Sequence, residues 1–120
     1  MLDLLGTLRI DAAPDDLRTW LGAWFESYEA DGGVVSSWQE MQSNGELADF
    51  SKRVAASVHA RLGAVLERRD FGDPATDAVV LLALIERVPY SVYTLRFRSP
   101  DEAIESMVTI LRRGFLGLPA

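Results

Sequence analysis

Cysteine is absent from the 120 residues, and lysine and histidine occur once each, as Lys52 and His59. No cysteine means no disulfide, no thiolate metal site and no cysteine nucleophile. A single histidine excludes a His-His metal pair. Long apolar runs are missing too. The longest, Ala78 to Ile85, falls far short of the ~20 residues that span a bilayer. The opening MLDLLGTLRI carries an acid at Asp3 and no basic start, which does not read as a signal peptide. The expectation is a cytoplasmic protein without membrane spans. No glycine-rich phosphate loop is present, because Gly32-Gly33 follow a helical pattern and not a strand. Basic charge is scarce: 12 basic against 18 acidic residues give a net charge of -6. A domain that grips a phosphate backbone needs a basic stripe, so this chain alone is not expected to bind DNA.

What remains is apolar and helical. Hydrophobic residues make up 48% of the chain, enough for one core in one domain of this length. Pro14, Asp15 and Asp16 open a helix to about Ala30, on which Leu17, Trp20, Leu21, Trp24, Phe25 and Tyr28 recur at helical spacing. A short helix is expected from Val34 to Gln42, with Trp38 and Met41 on one side, followed by the turn residues Ser43-Asn44-Gly45. The third runs from about Glu46 to Arg69 and carries the stripe Leu47, Phe50, Val54, Val58, Leu62 and Val65. Asp73 as cap and Pro74 at the first position start a fourth, reaching about Leu95. Its first half is apolar all round, so it is central or buried on two faces, and Pro89 should kink it. Ser99 and Glu102 form a capping box for the fifth, Pro100 to Phe115, whose inner stripe is Ile104, Met107, Val108, Leu111 and Phe115. Leu2, Leu5 and Leu8 resemble the tail of a further helix. No strand pattern or repeat is visible.

Little points to catalysis. The arginine pairs Arg68-Arg69 and Arg112-Arg113 end predicted helices, where they complement the dipole; an anion-binding role is the alternative. His59 reads as a packing residue or a polar handle for a ligand. An enzyme would need groups such as Glu26, His59 and Arg87 to converge, which their spacing does not force. No catalytic residue, metal or cofactor is expected. Glu86-Arg87 interrupt an apolar helix, either as an exposed pair or as a polar contact at a dimer seam or pocket rim. The aromatic set Trp20, Trp24, Tyr28, Trp38, Phe50, Tyr90 and Tyr93 is spread over four helices. It packs a core or lines a mostly apolar cavity with a few polar tips. The last two helices carry more apolar surface than so small a core needs, which points to self-association.

The order of segments DDLRTWLGAWFESY, VVSSWQEM, ARLGAVLERR, ALIERVPYSVYTL and SPDEAIESMVTILRRGFLG resembles the C-terminal half of tetracycline-repressor-like (TetR-family) transcriptional regulators. The resemblance spans about Asp15 to Leu116. It implies an all-α antiparallel bundle of about five helices, with the last two pairing with their mates in a dimeric four-helix bundle. It implies a homodimer that binds a small apolar or aromatic effector and, in a full-length parent, controls DNA binding through a helix-turn-helix. No such DNA-reading head is read in this sequence, which would be either a domain cut from a longer regulator or a head-less relative, with residues 1–12 the remnant of a connecting helix. The resemblance draws Trp20, Trp24, Tyr28, Phe50, Val54 and Tyr90 toward the effector, with Trp38 and Met41 at the mouth. The expected dimer contacts are Val80, Leu84 and Arg87 on one helix and Ile104, Val108 and Leu111 on the other. A stand-alone dimerisation module, with a filled core and no ligand, is the alternative.

Overall fold

A computed structural model describes residues 2–30 and 45–119, and every regular element among them is helical. These are α1 (Leu2–Leu5), α2 (Pro14–Ala30), α3 (Gly45–Leu66), α4 (Pro74–Tyr93) and α5 (Pro100–Thr109), the last continuing as a π-helical segment, Ile110–Phe115. The helix expected at Val34–Gln42, with Trp38 and Met41, lies outside the described residues.

Local chemistry sets the helix ends. The Asp73 side chain accepts the Ala75 N–H at 3.2 Å and the Thr76 hydroxyl at 2.8 Å, with Pro74 at the first position of α4. Ser99 Oγ accepts the Glu102 N–H at 3.2 Å and donates to Glu102 Oε1 at 3.0 Å. Each cap satisfies orphan donors and is worth about 1 kcal/mol. Between α3 and α4, Gly72 has φ +74°, and a Cβ there would sit 2.6 Å from Asp77 Oδ2 and 2.8 Å from Arg69 Nη2. The positive φ favours glycine at that turn, and a larger residue would also push aside the Arg69 and Asp77 side-chain ends. Buried Arg69 fastens it, donating to Leu66 O at 3.1 Å, to Phe115 O at 2.7 Å and to Asp77.

Two elements depart from the sequence pattern. The last helix is α-helical only to Thr109; beyond it the turn widens, and the Leu116 N–H reaches back five residues to Leu111 O at 3.1 Å. Arg112 anchors this widened turn through Ala12 O at 2.8 Å and Pro119 O at 3.1 Å. The N-terminal segment is helical over Leu2–Leu5 and then runs through turns to α2, yet Leu5, Leu8 and Ile10 are buried. Backbone groups that leave helical pairing need other partners. Arg61 supplies Gly6 O at 2.5 Å and Leu5 O at 3.0 Å, and Trp20 Nε1 supplies Leu4 O at 3.0 Å. Arg68 pairs with Asp11 at 3.0 Å.

One contiguous core joins these parts. α2 contributes Leu17, Leu21, Trp24 and Phe25; α3 contributes Val58, Leu62 and Leu66. Ala78, Leu81, Leu82, Ile85 and Val92 come from α4, and Met107, Val108 and Leu111 from the last helix. Burying each large side chain stabilises by about 1.5–3 kcal/mol. α3 packs most extensively on α4, and α2 lies across α4 and α5.

Candidate functional site

The aromatic residues fall into two groups. Trp24 is 2% exposed, and its indole N–H donates to the Ile85 carbonyl at 2.9 Å. Trp20, half-buried, stacks on it with centroids 5.4 Å apart. The second group lies toward the C-terminal end of α4. Tyr28 is buried and stacks on Tyr93 at 6.0 Å, and Phe25 meets Tyr93 edge-on at 6.3 Å. Trp20, Trp24 and Tyr28 are therefore engaged in packing, and the polar atom of Trp24 has its partner. Tyr90 is half-buried under the Arg87 guanidinium, 4.0 Å from the ring centroid. Val54 is half-buried against the core. Trp38, Met41 and the Phe50 side chain lie outside what is described.

Two groups near these aromatics have shifted acidities. Glu86 is half-buried, and burial pushes its carboxyl above the ordinary range. Burial also raises the Tyr93 phenol, helped by the negative charges of Glu29, Glu26 and Asp101. His59 is half-buried on α3, while Glu26 on α2 and Arg87 on α4 are exposed. Among the described residues, no group of three His, Cys, Asp or Glu side chains could hold a metal ion. No helix among them is long and apolar enough to cross a membrane.

The second candidate is the outer face of α4 and α5. The buried side of α4 is Ala78, Leu81, Leu82, Ile85, Pro89 and Val92. Its opposite side carries apolar residues as well, as expected for a helix apolar all round, and Val79 and Val80 there are about half exposed among the described residues. Val80 is 50% exposed, Leu84 half-buried and Arg87 exposed. Ile104 is half-buried. Val108 and Leu111 are 2% and 0% exposed and face the protomer's own core. Their stripe is the inner one, so these two of the expected contacts are not presented to a partner. Ile110, which the sequence reading passed over, is 44% exposed on the outer side.

Between the two helices runs a groove of about 430 Å³. Leu84, Val88 and Ser91 form one bank and Ala103, Ser106 and Ile110 the other. Phe97 and Arg98 of the connecting loop line it as well, with Phe97 70% exposed. The small residues Ala103 and Ser106 beside Ile110 were the signal in the sequence that could have disclosed it, since small side chains leave room along a helix surface.

The described residues thus define an all-helical domain with a packed aromatic interior and a partly exposed apolar helix-pair face. The chain matches no protein-family model, no curated protein and no solved structure.

Proposed function

We propose that this chain is a homodimerising effector domain of the TetR-like kind, and that it senses a small apolar or aromatic molecule. In a full-length parent it would control a DNA-reading head. The observation that carries the reading is the open groove between α4 and α5, beside a core that the described helices already share. Monomeric proteins rarely leave large contiguous apolar patches in water, and two helices with a channel between them are suited to a second helix pair. The effector would enter between α3 and α4. Val54, Glu86 and Tyr90 are each half-buried, and together they would offer an apolar wall, a titratable group and a phenol, the mixture typical of small-molecule sites.

A second reading, a dimerisation module without ligand, is favoured by the packing around Trp24, whose N–H is satisfied within the protein. A thermal-shift screen with small aromatic and aliphatic compounds separates the two. The effector reading predicts compounds that raise the melting temperature in a concentration-dependent way. Tyr90→Ala should abolish that rise while leaving the dimer intact. A dimer that no compound stabilises supports the module reading.

A further inference from the structure

We propose that the loop end of the α4–α5 groove is a binding site for a zwitterion with a large apolar group, by chemical class a hydrophobic α-amino acid. Arg98 takes its carboxylate, Glu102 takes its ammonium, and the apolar channel takes its side chain. The site goes beyond the dimer and effector reading above and does not need it.

The groove carries one charge of each sign, and both stand at the same end. Arg98 lies in the loop that closes the groove and Glu102 in the first turn of α5, and both line it. They do not pair with each other, and Arg98 makes no ion pair among the described residues. Glu102 Oε1 accepts the Ser99 hydroxyl at 3.0 Å, which holds the carboxylate to its own capping box. Away from this end the walls are apolar, with Leu84 and Val88 on α4 and Ile110 on the last helix. Phe97, beside Arg98, offers a ring that is 70% exposed.

This pairing selects for both charges. A simple anion at Arg98 is set against Glu102, and a simple cation at Glu102 is set against Arg98. A molecule with the two charges on neighbouring atoms satisfies both together. The volume of about 430 Å³ lies at the small end of the range for ligand sites, which suits one amino acid better than a peptide. Backbone strain marks the same place. Arg96 has φ +56°, uncommon for a residue with a side chain, and such residues cluster at ligand clamps. A second helix pair laid in the groove would cover the same walls. A bound amino acid should therefore also weaken self-association, and that effect alone rests on the dimer reading.

The test is an NMR titration of the full chain, at a concentration where sedimentation shows monomer. The probes are L-phenylalanine and two analogues lacking one charge each, phenethylamine and hydrocinnamate. L-Phenylalanine should give saturable shifts at the amides of Phe97, Arg98, Ser106 and Ile110. Each analogue should bind about fivefold more weakly, since one exposed ion pair is lost. Glu102→Gln keeps a side chain able to complete the capping box. It should weaken L-phenylalanine about fivefold and leave hydrocinnamate undiminished; Arg98→Gln should weaken L-phenylalanine equally and leave phenethylamine undiminished. Equal binding of all three compounds, or no saturable shift with any, overturns the site. If the shifts are absent and the chain still dimerises at higher concentration, the dimer reading stands alone. Saturable shifts in a chain that never dimerises uphold the site and remove the dimer.

Discussion

The indole N–H of Trp24 on α2 donates to the carbonyl of Ile85 on α4, at 2.9 Å and out of reach of water. That carbonyl is the one whose helical donor would come from residue 89, and residue 89 is proline. Proline has no N–H and orphans the carbonyl four residues back. α4 nonetheless continues through Pro89 to Tyr93, because a side chain from another helix replaces the missing bond. Helix break and tryptophan are one device, and it fixes where α2 sits on α4.

The two residues should therefore be coupled in stability. Trp24→Phe leaves the Ile85 carbonyl buried without a donor and should cost about 2–3 kcal/mol, desolvation and lost packing together. In a Pro89→Ala background the alanine N–H serves that carbonyl, and the same change should cost about 1 kcal/mol less. Urea denaturation of the four proteins of the cycle measures the difference. Strict additivity would mean that the indole bond does not substitute for the helical one.

Glu86 predicts a pH dependence. Its folded carboxyl holds a proton more tightly than the unfolded one does, because burial disfavours the charge. From the ordinary glutamate value up to the raised one, the folded state binds more protons, so stability falls as pH rises through that window. Glu86→Gln removes the penalty. It should melt about 2 °C above wild type near neutral pH, a small gain because the group is partly solvated. The two proteins should converge below about pH 4, where the wild-type carboxyl is protonated in both states. Thermal melts across the range read this directly.

Arg69 is the buried charge on which the α3–α4 turn depends. Its side chain is 4% exposed and reaches Leu66 O, Phe115 O and Asp77. Arg69→Met keeps much of the stem but strands two carbonyls and a carboxylate. Breaking one partner of such a set costs about 3 kcal/mol, which corresponds to roughly 10 °C in Tm. Adding Asp77→Ala should return part of the loss, by removing the carboxylate left without its cation.

Substitutions on the last helix should divide by side. Ile110→Glu, on the exposed face, should leave the fold intact and split the proposed dimer; Val80→Glu on α4 should do the same. Val108→Glu buries a charge in the core and should unfold the protomer. Circular dichroism with sedimentation distinguishes these outcomes. A folded Val108→Glu variant would mean that the last helix presents its other side to the core.

Helix limits were legible where punctuation is local. Asp73-Pro74 and Ser99-Pro100 mark starts by the bonds their side chains make to the next turn, and these need no tertiary partner. The inner stripe of the last helix was legible too, as Met107, Val108 and Leu111 are all buried. Periodicity names a buried side without saying what buries it, which is why Val108 and Leu111 read as dimer contacts while they pack in the protomer. The π-helical turn depends on Arg112 reaching Ala12, 100 residues away in sequence, and no window contains both. The every-third leucines at the N-terminus read as a helix, but Leu8 lies in a non-helical stretch held by Arg61 and Trp20. The Trp24–Ile85 bond is likewise a tertiary event. Proline announces an orphan carbonyl, and only the fold says which donor answers it.

Native mass spectrometry of the purified chain across a range of concentrations tests the central claim most directly. A dimer joined through the α4–α5 face, carrying the added mass of a co-purified small molecule, is the predicted result. A species that remains a bare monomer at every concentration would contradict it.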